Sequence, residues 1–323
     1  MHAARIRLQQ PEREASMTAK ASQLHGVLVL DKPKGPTSAG CLAQIKRILG
    51  QKKIGHAGTL DPMARGVLLV LLGQATKLAG ALTEGGKIYS GKLKLGLATD
   101  TYDFEGKVVR EAPYEHLTPD AVAAAVSEWA TLTMQDVPPY SAAKHQGKPL
   151  YQLSREGKET PLKSKSISIS RAEVLGMDLP WVDFRVECGP GTYIRSLVHS
   201  LGIRLECGAT MTELTREFSH PFRLEQAFGL DQVLDEPELL ATRVVPLPAA
   251  LPHWPKLAIS SRLAGQVKNG IPVGACDTGA AETPPAGQRA LFLDPDGGPL
   301  ALAEVRLVDG KPVWAIVRGL WQS

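Results

Sequence analysis

Gly55-His56-Ala57-Gly58-Thr59-Leu60-Asp61-Pro62-Met63-Ala64-Arg65-Gly66 is the chemically densest stretch of the chain. Three of its glycines surround one imidazole and one carboxylate, in the company of a single proline. Glycine lets a backbone turn tightly and approach a ligand closely. Asp61 precedes Pro62, which biases its backbone to an extended form. A loop of this kind can hold a carboxylate rigidly toward a partner. It can equally be a plain turn whose aspartate caps the next helix, because Asp-Pro commonly starts turns.

Upstream, Val27–Leu30 is a short apolar run that ends in Asp31-Lys32-Pro33-Lys34-Gly35-Pro36, a strand followed by turn chemistry. Thr37 or Ser38 then caps a helix to about Leu49, with Leu42, Ile45 and Leu49 on one face and Gly50 as the stop. Downstream, Ile88–Leu97 alternates as a strand, placing Tyr89, Gly91, Leu93 and Leu95 on one face. Thr118–Leu132 reads as a helix with Pro119 at its first position. Val182–Cys188 alternates again, and Gly189-Pro190-Gly191-Thr192 turns into a helix from Tyr193 to Leu205. Prolines 246, 248, 252 and 255 read as a linker. Ala301–Val308 and Lys311–Val317 around Asp309-Gly310 read as a hairpin in a small β domain that starts near Leu251. Asp277–Gln288 reads as a loose loop within it. No internal repeat is visible.

A chain of 323 residues, 43% hydrophobic and 22% charged, can bury a large core without disulfides. Its four cysteines include no CxxC pair, which argues against zinc and for a reducing compartment. No apolar run approaches the roughly 18 residues of a membrane span. Residues 1–23 are polar, lack the apolar stretch of a secretory signal, and read as a disordered extension in which Met17 is a second candidate start. The net charge of +4 is mild, but it is unevenly placed. Tyr140–Arg171 holds seven basic residues and two acidic ones, hence +5, more than the whole chain.

Several chemistries are absent. There is no phosphate loop, dinucleotide fingerprint or nucleophile elbow. The acids Asp100, Asp103 and Glu105 fail as a calcium loop, because Tyr102 and Phe104 stand where oxygen ligands are needed. Arg195 falls in the first turn of the expected helix, where a cation opposes the helix dipole at a cost of about 0.3–1 kcal/mol. It is therefore either a tolerated surface charge or the partner of a nearby anion. Tyr89 and Tyr193, taken alone, read as core tyrosines, and Lys32 and Lys77 as surface charges.

Five segments in order resemble the bacterial tRNA pseudouridine synthase B family: HGVLVLDKPKGPTS, KIGHAGTLDPMARGVLLVLLGQATKL, KIYSGKLKLGLATDTYDFEG, YSAAKHQGKPLYQLSREGKE and VECGPGTYIRSLVHSLG. The likeness runs from Leu24 to Phe222. GHAGTLDP and GTYIR are its most specific motifs. It implies an α+β fold: a mixed, largely antiparallel central sheet flanked by helices over residues 24–245, with an RNA-gripping arm at about 132–165. A C-terminal β-rich PUA-like RNA-binding domain would span 252–323. The resemblance further implies Asp61, Tyr89 and Arg195 as the catalytic set, with the arginine paired to the aspartate. His56 would replace the flipped base, Lys32 would support the site, and Tyr193 and Lys77 would contact substrate. Lys144, Lys148 and Lys158 of the basic stretch would contact phosphates.

The implied reaction isomerises uridine 55 of the tRNA T-loop to pseudouridine and needs no cofactor and no metal. The implied partner is the tRNA T-arm, met by a cytoplasmic monomer with no membrane association. A glycosidase-like hydrolase is a poor rival, since glycosidases use two facing carboxylates and the loop offers one. A tRNA-binding folding chaperone is the other rival. Arg65, Pro190 and Ser200 depart from the family pattern, on the flanks of the motifs.

Overall fold

The computed structural model describes residues 23–141, 143–156, 163–279 and 282–321. The expected disordered extension thus falls almost wholly outside the described residues. In chain order the main elements are strand β1 (Gly26–Lys32), helix α1 (Ser38–Leu49), β2 (Ile54–Ala57), β3 (Arg65–Leu72), β4 (Lys87–Leu95), α2 (Pro119–Ser127), β5 (Ile169–Asp178), β6 (Trp181–Cys188), α3 (Ile194–Arg204) and β7 (Ala209–Ser219). The main sheet has the order β5-β6-β4-β7-β3-β1, with β2 paired to β3 and a short strand at Phe228–Gly229 parallel to β1. Most pairs are antiparallel and β7–β3 is parallel, so the sheet is mixed.

β3 explains why the sheet has two covered faces. Its sequence RGVLLVLL is almost unbroken in apolar side chains, and residues 66–72 are all buried. Successive side chains in a strand point to opposite faces. Leu68, Val70 and Leu72 accordingly enter one core with Leu28 and Leu30 of β1, under the three helices. Val67, Leu69 and Leu71 enter a second core with Val27 and Val29. Leu247, Leu251, Leu291, Leu302 and Leu320 close that second core from the C-terminal part. The proline-rich stretch is therefore not the free linker expected from sequence. It forms a helical turn at Leu247–Ala250, and Val245 bridges to Val27. Proline fixes its own φ without preventing burial of the leucines between.

The C-terminal part is a five-stranded sheet. Its hairpin Pro299–Val308/Lys311–Gly319 turns at Asp309 and Gly310, both left-handed, as the sequence indicates. A 3-10 turn at Ala275–Thr278 and residues 280–281, outside the description, occupy the expected loose loop.

α1 is capped as its sequence predicts: Thr37 Oγ1 accepts from Gly40 N at 2.9 Å, and Gly50 adopts φ 57° at the C-terminus. Other boundaries differ. The strand expected to reach Leu97 ends at Leu95, because Gly96 turns left-handed and Leu97–Thr99 pairs with Val108–Glu111 instead. The helix expected to reach Leu132 ends at Ser127 and continues as 3-10 to Thr131. The basic arm carries more order than its composition indicates. Met134–Asp136 pairs with Ser164–Ser166, and Leu150–Arg155 is helical with Leu150 buried.

Because Leu69 is wholly buried between the sheet and the C-terminal part, Leu69→Ala is expected to destabilise the protein by about 2–5 kcal/mol. A urea titration of both proteins measures it.

Candidate active site

One row of residues runs across the main sheet. Lys32 of β1 faces Gly66 of β3, Gly66 faces Arg216 of β7, Arg216 faces Tyr89 of β4, and Tyr89 faces Val186 of β6. The loop 58–64, which carries Asp61, leaves β2 and returns into β3 at this row. Gly66 makes the crossing possible. Its φ is 100°, and a Cβ there would lie 2.3 Å from the Arg216 carbonyl oxygen.

Polar groups from several elements hold the loop. Arg216 is 1% exposed; its Nη2 donates to Gly58 O at 2.9 Å, its Nη1 to Thr59 O at 3.3 Å and its Nε to Val67 O at 2.6 Å. Ser38 Oγ accepts from Leu60 N and donates to Leu60 O, both at 2.9 Å. Gly35 N donates to Pro62 O at 2.9 Å. Lys32 is fully buried, and its Nζ donates to Ala64 O at 2.7 Å, Pro33 O at 2.9 Å and Pro62 O at 3.3 Å. It is no surface charge, and it reaches the loop from behind without lining the cavity. Asp61 caps no helix; strand β3 follows it.

Arg195 meets Asp61 as expected. Tyr193 is the N-cap residue of α3 and offers no side-chain cap. Instead Gln135 holds its backbone, accepting from Tyr193 N and donating to Tyr193 O, each at 2.7 Å. That fixes the first turn of α3, where Arg195 is 5% exposed. Its Nε donates to Asp61 Oδ2 at 2.9 Å, its Nη1 to Thr101 O at 2.8 Å and its Nη2 to Tyr140 O at 2.9 Å. A second acid, Asp103, lies 3.5 Å from Nη1. A buried cation at a helix start is tolerable when anions and carbonyls surround it.

A cavity of about 240 Å³ opens in front of these groups. Asp61, Tyr89, Tyr193, Arg195, Arg216 and Lys87 line it. Burial pushes the Tyr89 and Tyr193 hydroxyl pKa values up, so both stay protonated at neutral pH. A carboxylate, a guanidinium and a phenol converge here on a partly apolar floor, an arrangement suited to covalent or acid–base chemistry on a flat ring.

The other sequence-derived residues are dispersed. His56 lies on β2, half-buried, with Nδ1 buried and unpartnered; burial and then the charge of Arg216 push its pKa down. It does not line the cavity. Lys77 sits half-buried on the 3-10 turn Gly73–Leu78, near the like charges of Lys53 and Arg318. Lys148 is exposed on a short hairpin whose other strand carries Lys144, and Lys158 lies outside the described residues. Arg65, an atypical residue, turns away from the cavity and donates to Thr215 Oγ1 at 2.9 Å.

Sequence reasoning missed Arg216, Lys87, Ser38, Gln135 and Asp103. Only Asp103 carried a signal. It sits in the acidic run set aside as a failed calcium loop, and an unexplained acid within reach of an unexplained Arg195 could have prompted the pairing.

Comparison with known proteins shows which family the chain resembles. The profile of TruB family pseudouridylate synthases (N terminal domain) matches residues 46–194. The tRNA pseudouridine synthase B of Nitratidesulfovibrio vulgaris (strain Miyazaki F) is 60% identical over 309 residues, covering 95% of this chain and 100% of its own. The namesake from Geobacter sulfurreducens is 40% identical over 304 residues, covering 93% and 96%. Among solved structures, a Cbf5–Nop10–Gar1 complex matches with TM-score 0.69 and 26% identity over 92% of this chain and 85% of that one. An H/ACA RNP bound to a substrate RNA containing 2′-deoxyuridine matches with TM-score 0.68 and 25% identity, over 92% and 86%.

Arg195→Ala would leave Asp103 buried without its guanidinium, so we expect a stability loss of about 3–5 kcal/mol, read by urea denaturation.

Proposed function

Since the chain belongs to the TruB family of pseudouridylate synthases, we propose that it isomerises uridine 55 in the T-loop of tRNA, with Asp61 as the catalytic residue. The observation that carries this reading is the Arg195–Asp61 contact of 2.9 Å inside a loop held by buried side chains. The carboxylate is still over a third exposed toward the cavity.

The chemistry follows from the set. The C1′–N1 bond of the nucleotide breaks and the base turns. A C1′–C5 bond then forms, with loss of the C5 proton and gain of a proton at N1. Atoms balance without redox change or added water. A carboxylate assists either by attacking C1′ or by removing the C2′ proton, and one acid suffices for both. Tyr89, which lines the cavity, would stack on the base, and its neutral hydroxyl would relay the C5 proton late, giving up its own proton as it takes the new one. Reaching the base requires flipping it from the folded loop, at about a few kcal/mol. His56, on β2 two residues before Gly58, would fill the vacated place. The arm lysines, Lys77 and the PUA-like C-terminal sheet would bind phosphates. We take the working form to be a cytoplasmic monomer.

Two outcomes test this. Asp61→Asn is expected to abolish pseudouridine formation on an unmodified tRNA transcript while tRNA affinity stays within about tenfold. A folding chaperone without catalysis would be indifferent to that change. Second, replacing Lys144, Lys148 and Lys158 together with alanine should flatten the salt dependence of tRNA affinity by about two to three units of slope. The modified position should stay the same, because phosphate contacts position and do not specify.

A further inference from the structure

Lys87 opens β4 and lines the cavity, yet nothing described so far uses it. It is 6% exposed, and its ammonium donates to the carbonyls of Thr83 and Gly85. An ammonium has three N–H groups, so one remains. The cations around this cavity outnumber the acids. Arg195 is answered by Asp61 and Asp103. The partners of Arg216 are backbone carbonyls and the Tyr89 hydroxyl, and those of Lys87 are carbonyls. Among the described residues no carboxylate is paired with either. Cations buried without an anion are costly unless charge arrives from elsewhere.

We infer that Lys87, supported by Arg216, is a catalytic group that stabilises the negative charge of the departing uracil. The inference rests on the isomerisation proposed above. When C1′–N1 breaks, its electron pair goes to N1, and the base becomes an anion delocalised over N1, O2 and O4. C1′ is compensated by the Asp61 carboxylate or by loss of the C2′ proton. The base returns the pair when C5 bonds to C1′, and N1 gains a proton as C5 loses one. A neutral uracil cannot answer a buried cation, but the departing anion can. Lys87 therefore binds the transition state better than the ground state, which is what accelerates a reaction. The target's own phosphate is the competing source of negative charge. It suits the site less, because Lys87 and Tyr89 lie at the buried floor, which a flipped base reaches before its backbone does.

The groups facing Lys87 make the pH test clean. Burial, followed by Arg216 on β7, lowers its pKa to about 8, and Cys188 at the end of β6 opposes that. Burial pushes the Cys188 thiol up to about 11, and Tyr89 is also pushed up, so neither ionises near pH 8. His220, stacked on His253, is pushed down and is already neutral there. Lys87 is thus charged below about pH 8 and loses its charge above it.

The experiment measures kcat/KM for tRNA isomerisation from about pH 7 to about pH 9, with single-turnover rates and tRNA affinity, for wild type, Lys87→Gln and Lys87→Arg. We expect wild-type kcat/KM to fall as pH rises through about 8. Lys87→Gln should lose about 100-fold in single-turnover rate with tRNA affinity within about threefold. Lys87→Arg should recover most of the rate and remove the alkaline fall. A flat wild-type profile overturns the inference whether or not the glutamine variant folds. Weakened affinity at an unchanged rate overturns it in favour of a phosphate contact. Absence of pseudouridine from wild type would instead refute the isomerase reading itself.

Discussion

Arg195 stands in the first turn of α3, where the peptide dipole disfavours a cation, and water hardly reaches it. Its guanidinium is satisfied by Asp61, Asp103, the Thr101 carbonyl and the Tyr140 carbonyl. These belong to three stretches of chain far apart in sequence. Removing any one leaves a buried donor or charge unanswered, which is more costly than never having formed the contact. The arrangement therefore closes as a unit, tying loop 58–64, the 99–103 turn and the base of the arm to the start of one helix. Only Oδ2 of Asp61 takes part, and the carboxylate keeps an exposed side for substrate.

The fold was legible where a local pattern has a local cause. Thr37 and Gly50 bound α1 because capping is a property of a few adjacent residues. Asp309-Gly310 sets its hairpin because the turn needs two left-handed residues. β3 was not read as a strand, since RGVLLVLL lacks alternation. A strand buried on both faces has none to show, and periodicity alone does not distinguish it from a buried helix. The proline-rich stretch misled for a related reason: composition signals turns, whereas its leucines are covered by Leu291, Leu302 and Leu320, far along the chain.

The site divides in the same way. Asp61, Tyr89 and Arg195 were named through motif likeness, while residue chemistry alone left the aspartate open between a cap and a functional acid. Lys32 and Arg216 were beyond local reading. Lysine and arginine are usually exposed, and a sequence gives no sign that one of them is sealed under a loop by backbone carbonyls. Their burial comes from the register of the sheet, which sets Lys32, Gly66, Arg216 and Tyr89 in one row. Register is a long-range property, and a slip of one residue would turn each of these side chains to the opposite face.

That row, with Lys87 two residues from Tyr89 on β4, also separates two uses of buried charge. Lys32 and Arg216 satisfy carbonyls of the loop that carries Asp61, and so trade hydrogen bonds with water for hydrogen bonds with backbone. For Lys32, which lies outside the cavity lining, such contacts fix geometry without depending on substrate, whereas Arg216 lines the cavity and adds its charge to that of Lys87. The excess positive charge at the cavity floor does depend on substrate, because it stays unanswered until negative charge enters. The sheet can hold both kinds side by side because its two cores make the platform stiff. A softer platform would let the carboxylate swing toward the cations that lack a carboxylate partner and neutralise them, and the cavity would lose the field that makes it selective for a developing anion.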